Sequence, residues 1–126
     1  MHRIISTIFI SILTLFIVAV GFTINTRTTN SINEKITAAM DLKNNGDSEG
    51  AKKELQKAIN EWDQTIEIML LFESHGKLDR IEESLKLSEM YLQNGNTNMF
   101  NEECKRASIL IEHFNDLEYP TIYNIF

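Results

Sequence analysis

The chain has 126 residues and a formal net charge of −6, and its five glycines and single proline favour helices over a β-sandwich or barrel. Two of the twelve basic residues precede residue 28, so residues 28–126 carry ten basic and eighteen acidic side chains. An acidic domain without a basic stripe argues against nucleic-acid binding. The single cysteine, Cys104, excludes a disulfide within the chain and a zinc site built on a cysteine pair.

The N-terminal segment has the length and composition of a membrane-spanning helix. Residues 4–24 are twenty-one residues without a charge, and Arg3 and Arg27 flank them. A helix of about 20 apolar residues crosses a bilayer core, whereas a cleaved signal peptide usually has an apolar run of roughly 7–15 residues. We therefore expect residues 1–27 to be a retained anchor, with signal-peptide cleavage as the alternative. The short basic start favours a single-pass protein of the cell membrane with a cytoplasmic N-terminus and an extracytoplasmic domain.

The polar segment Asn25–Asn30 follows the apolar run and is predicted to be a linker. Ser31 and Glu34 have the spacing of a capping box, which predicts that the first helix of the domain begins at Ser31. Apolar residues then recur at helical spacing over residues 32–43. The sequence Asn-Asn-Gly-Asp at residues 44–47 is predicted to end this helix in a turn.

The rest of the domain, which we define as residues 28–126, is also predicted to be helical. A long helix is expected from about Glu49 to Ser74, and its stretch Ile66–Phe72 is apolar on almost every side, which predicts the centre of the core. Further helices are expected over residues 78–93 and about 97–115. Short turns make neighbouring helices antiparallel. The predicted fold class is all-α: one transmembrane helix followed by a four-helix antiparallel bundle of two helical hairpins, with a short C-terminal tail.

Several features spread along the chain form one pattern: the anchor, Trp62, His75, Leu78-Asp79, Glu118 and the closing Asn124–Phe126. This pattern resembles the bacterial family catalogued as domain of unknown function 4363. The resemblance covers nearly the whole chain, and Tyr119-Pro120 departs from the continuous final helix that it implies. It implies a short single-span protein of Gram-positive spore-forming bacteria, with no established activity and with small multi-span membrane proteins among the gene neighbours. It therefore implies a membrane accessory role at most, and it assigns no catalytic residue.

His75 is the first candidate for chemistry, because it is predicted in a turn between Glu73 and Asp79, beside a core that contains Trp62. Imidazole titrates near neutral pH, so His75, Trp62 and Asp79 are the candidates for lining a sensing or ligand-binding pocket. The structural alternative, which we favour, is a histidine at the C-terminus of the preceding helix, stabilised by the last carbonyl groups.

The remaining polar residues do not predict an active site. Those with plausible metal-ligand spacing are His75, Glu112, His113 and Asp116. A bundle metal site needs a second such set on another helix, so neither a metal nor another cofactor is expected. No phosphate loop, nucleophile elbow or Cys–His constellation is present, and an enzyme is not expected. Cys104 lies on the apolar stripe of its helix, which favours a buried thiol over a redox switch.

The C-terminal tail is apolar, and we expect its side chains to be covered, either by packing over the bundle or by docking on a partner. The candidate contact residues are Tyr119, Ile122, Tyr123, Ile125 and Phe126. We expect a non-enzymatic interaction or accessory protein, bound to the bilayer through residues 4–24 and to a membrane-protein partner, acting outside the cytoplasm. The alternative is an extracytoplasmic sensing or small-ligand-binding helical module, which a cavity between the hairpins would favour.

Overall fold

The computed structural model describes residues 1–70 and 75–116, without the side chains of residues 22–25 and 114–116. This part of the chain contains four helices and no strand, so the predicted all-α fold is confirmed. The helices are α1 (His2–Asn44), α2 (Ser48–Met69), α3 (His75–Gln93) and α4 (Thr97–Asp116).

The longest helix, α1, is unbroken over 43 residues and contains both the apolar segment and the first helix of the bundle. The predicted linker at Asn25–Asn30 and the predicted helix start at Ser31 are therefore wrong. Residues 22–43 contain neither Gly nor Pro, and Thr and Asn cost only a few tenths of a kcal/mol to about 0.7 kcal/mol each in a helix that is already nucleated on both sides. The predicted domain boundary between residues 27 and 28 lies inside α1.

The bundle is built from two helical hairpins, as predicted. The C-terminal half of α1 pairs with α2, α3 pairs with α4, and contacts of α1 with α4 and of α2 with α3 close the bundle. One continuous core contains side chains from all four helices, and its largest fully buried members are Trp62 and Phe100. The apolar stripes of the sequence supply this core: Ile32, Ile36 and Ala39 from α1; Ala51, Leu55, Ala58, Ile59, Trp62 and Met69 from α2; Leu78, Ile81, Leu85 and Leu92 from α3; Phe100, Cys104, Ala107 and Ile111 from α4.

Both hairpin turns have a glycine in the left-handed region, Gly46 at φ 89° and Gly95 at φ 74°. An L side chain is strained there, which explains why glycine occupies these positions. The residue after each glycine caps the following helix, since the Asp47 carboxylate accepts from the Gly50 amide at 2.8 Å and the Asn96 side chain accepts from the Met99 amide at 3.2 Å. The predicted turns are confirmed, and they make the helices of each hairpin antiparallel.

The end of α2 differs from the prediction that Ile66–Phe72 forms the centre of the core. Met69 is buried and Ile66 is half-buried, but Ile68 is 57% exposed and Leu70 is 37% exposed. Residues 71–74 lie outside the described residues. The described part of this stretch therefore lies at one end of the bundle. The core is centred nearer the N-terminus of α2, around Leu55 to Trp62.

Candidate functional site

The structure does not bring the three predicted pocket residues, His75, Trp62 and Asp79, into one site. His75 is the first residue of α3 and is exposed, so the interpretation of His75 as a residue that ends α2 is wrong. Trp62 is only 1% exposed, within the core side of α2. Asp79 is exposed and lines a groove on the outside of α3, whose lining includes neither His75 nor Trp62.

The Trp62 indole fills the core but leaves its N–H without an acceptor among the described residues. A buried donor without a partner costs about 1–3 kcal/mol relative to a satisfied one. The contribution of Trp62 to stability must therefore come from its apolar area and not from its polar atom. This arrangement is typical of a core residue.

Two open surface grooves flank the bundle, and both are rich in charged side chains. One lies at the end of the bundle far from the apolar segment, where Lys43, Glu49 and Lys52 meet the end of α3. The other runs along α3, where Lys86 pairs with Glu82 at 2.9 Å and this hydrogen bond raises the pKa of Lys86. Ligand sites are usually enclosed, whereas both grooves are open to solvent.

A half-buried polar cluster joins α1 to α2 shortly after the apolar segment. Ser31 Oγ donates to Glu61 Oε2 at 3.1 Å, Lys35 Nζ donates to Ser31 Oγ at 3.0 Å, and Lys35 also pairs directly with Glu61. Each charge in the cluster has an opposite charge or a hydroxyl as its partner. The cluster can therefore set the register of the two helices, but it leaves no activated nucleophile or base.

A second buried polar feature lies on α4 beside Cys104. Glu103 is 3% exposed, its Oε1 lies 3.5 Å from Arg106 Nη1, and its Oε2 has no partner among the described residues. Burial raises the pKa of the Cys104 thiol to about 12, the neighbouring Glu103 charge also raises it, and a hydrogen bond with Ser88 opposes the shift. Cys104 is fully buried, as predicted, and its thiol is neutral near pH 7. The thiolate is the form that attacks as a nucleophile or binds a metal, so the buried thiol is in its unreactive form.

The metal-ligand candidates and the tail fall partly outside the described residues. Within the described ranges no group of three or more His, Cys, Asp or Glu side chains is placed to hold a metal ion. Glu112 and His113 are exposed. The predicted contact residues Tyr119, Ile122, Tyr123, Ile125 and Phe126 lie outside the described residues, so their role stays a prediction.

The apolar segment of α1 is long enough and apolar enough to cross a membrane. Its most apolar 18-residue window has a mean hydropathy of 2.6, and none of this window is buried against the rest of the chain. The side chains of residues 4–20 are exposed, and the large apolar ones among them are exposed by 41–69%. The apolar segment is thus separate from the core, while its helix continues into the bundle.

Comparisons with known proteins identify one family. The model of a family described as Domain of unknown function (DUF4363) matches residues 21–125. The match begins at residue 21, within the last four residues of the apolar run, and it includes the bundle part of α1 together with α2, α3 and α4. No curated protein and no solved structure matches the chain significantly.

Proposed function

The chain belongs to the DUF4363 family, and we propose that it is a membrane-anchored, non-enzymatic interaction protein whose helical bundle acts outside the cytoplasm. The observation that carries this proposal is the continuity of α1, which joins an exposed apolar segment to a closed bundle without a linker. A partner of the bundle would thereby be held at a fixed height and orientation relative to the bilayer.

The exposed apolar segment supports anchoring in a bilayer. Soluble monomers rarely expose contiguous apolar patches larger than a few hundred Å², and thirteen of the seventeen side chains from Ile4 to Val20 are apolar and exposed. A lipid environment removes this surface from water. The Ser and Thr hydroxyls within the segment donate to carbonyl groups four residues earlier, for example Ser11 to Thr7 at 2.9 Å and Thr14 to Ile10 at 2.8 Å, so they need no water.

The bundle supports an interaction role better than a catalytic one. Its described grooves are open and charged, and its buried polar groups lie in the core or between helices. Confinement to the plane of a membrane raises the effective concentration of a partner in the same membrane, so weak contacts suffice for association. We propose a membrane-protein partner and keep the tail residues Tyr119, Ile122, Tyr123, Ile125 and Phe126 as its proposed contact. The alternative of a ligand-binding module at His75 is not pursued, because Trp62 is buried while His75 is exposed.

A crosslinked pull-down of the tagged full-length protein from its native membrane tests the partner. The chain ending at Glu118 and a full-length chain with serine at the five tail positions serve as matched variants. We expect one membrane protein to be recovered with the intact chain and lost with both variants. Equal recovery with all three chains, or no specific partner with any of them, would contradict the proposed role of the tail.

The anchor and its orientation are tested separately. We expect the protein to stay with the membrane fraction after an alkaline carbonate wash, and we expect a protease added to intact spheroplasts to remove the bundle. Release by carbonate would contradict the anchor. Retention together with full protease protection would instead place the bundle in the cytoplasm.

A further inference from the structure

The last turn of α2 exposes large apolar side chains that the core does not use. Ile68 is 57% exposed and Leu70 is 37% exposed, while Met69 between them is 2% exposed. Successive residues of a helix are about 100° apart, so Ile68 and Leu70 point to opposite sides of the turn. Apolar exposure on two sides of a helix end fits a surrounding apolar medium better than a groove on one side of a protein partner.

The register of α1 and α2 places this turn relative to the apolar segment. Ser31 contacts Glu61 at 3.1 Å, and Lys43 contacts Ser48 at 2.8 Å near the hairpin turn. The two helices are antiparallel, so residues that lie at the same height have residue numbers with a nearly constant sum. For these two facing pairs the sum is 92 and 91. The same register sets Ile68 level with residues 23–24 of α1 and Leu70 level with residues 21–22.

Residues 21–24 are the end of the charge-free run at residues 4–24. Because α1 continues from this run into the bundle without a break, the bundle cannot move away from the bilayer on a flexible linker. A headgroup layer is about 5–7 Å thick on each side of a hydrocarbon core of about 30 Å. At a rise of about 1.5 Å per residue, the backbone of the exposed Arg27 follows that of Ile24 by about 5 Å, which is within the thickness of one headgroup layer.

From this register we infer that the last turn of α2, with Ile68 and Leu70, lies in the lipid interface and gives the bundle a second contact with the bilayer beside α1. The inference rests on the proposed anchoring through residues 4–24. The occupant is the bilayer that holds the anchor, because this surface is level with the end of the membrane-spanning run. The contact would fix the bundle upright and prevent it from tilting about α1.

Nitroxide labels on the full-length protein in phospholipid nanodiscs test this contact. One label replaces Ile68 (Ile68→Cys), and a matched control replaces Met90 (Met90→Cys), which is 42% exposed on α3 near the opposite end of the bundle. A third label at Ile12 (Ile12→Cys) reports on the anchor itself. The labels are placed in a Cys104→Ala chain and, in case that variant folds poorly, also in the chain with native Cys104, which is buried and stays unlabelled when folded.

Power saturation compares collision of each label with oxygen, which partitions into lipid, and with a water-soluble nickel complex. We expect the ratio of nickel to oxygen collision at Ile68 to be severalfold lower than at Met90 and higher than at Ile12. A ratio at Ile68 equal to that at Met90, with Ile12 in lipid, would overturn this inference and leave the anchor intact. Shielding of Ile68 from both reagents would also overturn it, since a protein segment would then cover the turn. Nickel access at Ile12 would overturn the anchoring itself.

Discussion

Ser31 of α1 donates a 3.1 Å hydrogen bond to the Glu61 carboxylate of α2, and this contact links the two helices seven residues beyond the end of the apolar run. Lys35 donates to the same Ser31 hydroxyl and pairs with the same carboxylate. The contact fixes the height of α2 against α1, the helix that contains the apolar segment. Ser31 is thus a residue of helix pairing, although its spacing to Glu34 suggested a helix cap.

Removing the Glu61 carboxylate tests this link. We expect Glu61→Ala to lower the free energy of unfolding of the bundle by about 1–2 kcal/mol, because a half-buried, charge-assisted pair is lost and Lys35 keeps its charge with only the Ser31 hydroxyl as its partner. Urea unfolding in nanodiscs, followed by the fluorescence of the single tryptophan, Trp62, measures the loss. Glu54→Ala removes a carboxylate of similar exposure whose partner, Lys57 on the same helix, is itself 61% exposed, and it should lower the free energy of unfolding by less than about 0.5 kcal/mol. Equal losses for the two variants would contradict a special role for Glu61.

Substitution of Trp62 separates its volume from its unpartnered N–H. We expect Trp62→Ala to cost about 3–5 kcal/mol, because it leaves a large cavity in the core. Trp62→Phe should cost at least about 1 kcal/mol less than that, since it keeps most of the apolar contact and removes the unsatisfied donor. Circular dichroism at the helical bands measures both variants without the tryptophan signal. Equal costs for Phe and Ala would mean that the aromatic ring at residue 62 adds nothing to the packing of the core.

The helical stripes of the sequence were sufficient to predict the bundle, the turns at Gly46 and Gly95 and the burial of Trp62 and Cys104. They failed where a signal has two physical meanings. A polar Thr/Asn segment is typical of a linker, but it stays helical between two strong helices, as residues 25–30 do in α1. An all-round apolar stretch is typical of a core centre and equally of a helix end near a membrane, and Ile68 and Leu70 are exposed.

The exposed His75 and the buried Trp62 are not brought together among the described residues, for a related reason. The sequence predicted a turn at His75, whereas the structure makes His75 the first residue of α3, since His75-Gly76 is compatible with the end of one helix or the start of the next. The polar cluster of Ser31, Lys35 and Glu61 was also missed. Glu61 follows Ser31 by thirty positions and Lys35 by twenty-six, and only the register of α1 and α2 brings the three together.

A proline at residue 30 distinguishes a continuous helix from a linker. Asn30 lies well inside the length of α1, and its side chain is exposed. Asn30→Pro removes a helix hydrogen bond and should lower the free energy of unfolding by about 3 kcal/mol or more. Asn30→Ala is the matched control and should be neutral or slightly stabilising, because alanine favours the helix. Urea unfolding in nanodiscs measures both. A neutral effect of the proline would indicate that residues 25–30 form a linker after all.

Cys104 should react slowly with thiol reagents in the folded protein. It is fully buried, and burial raises its pKa to about 12, so both access and the thiolate fraction are small near pH 8. Ile109→Cys introduces a thiol at a position of the same helix that is 52% exposed, and it should be labelled at the rate of an ordinary cysteine. Mass spectrometry of timed labelling resolves the two thiols. Rapid labelling of Cys104 in the wild-type chain would support the redox alternative.

The raised pKa of Cys104 also predicts a loss of stability at alkaline pH. The ordinary value is 9.0 and the folded value is about 12, so the unfolded chain gives up the thiol proton first as the pH rises. The contribution of the neutral thiol to the free energy of unfolding is fully present below pH 9.0. It is lost as the pH rises towards the pKa of the folded protein, at up to about 1.4 kcal/mol per pH unit for one proton. We expect the free energy of unfolding of the wild type to fall more steeply above pH 9.0 than that of Cys104→Ala, whatever the cost of the cavity in that variant. The comparison uses the slopes of the two chains between pH 8 and 10, since every residue other than Cys104 is common to both. Parallel slopes would mean that the buried thiol titrates as it does in the unfolded chain, and the burial of Cys104 would then not control its protonation.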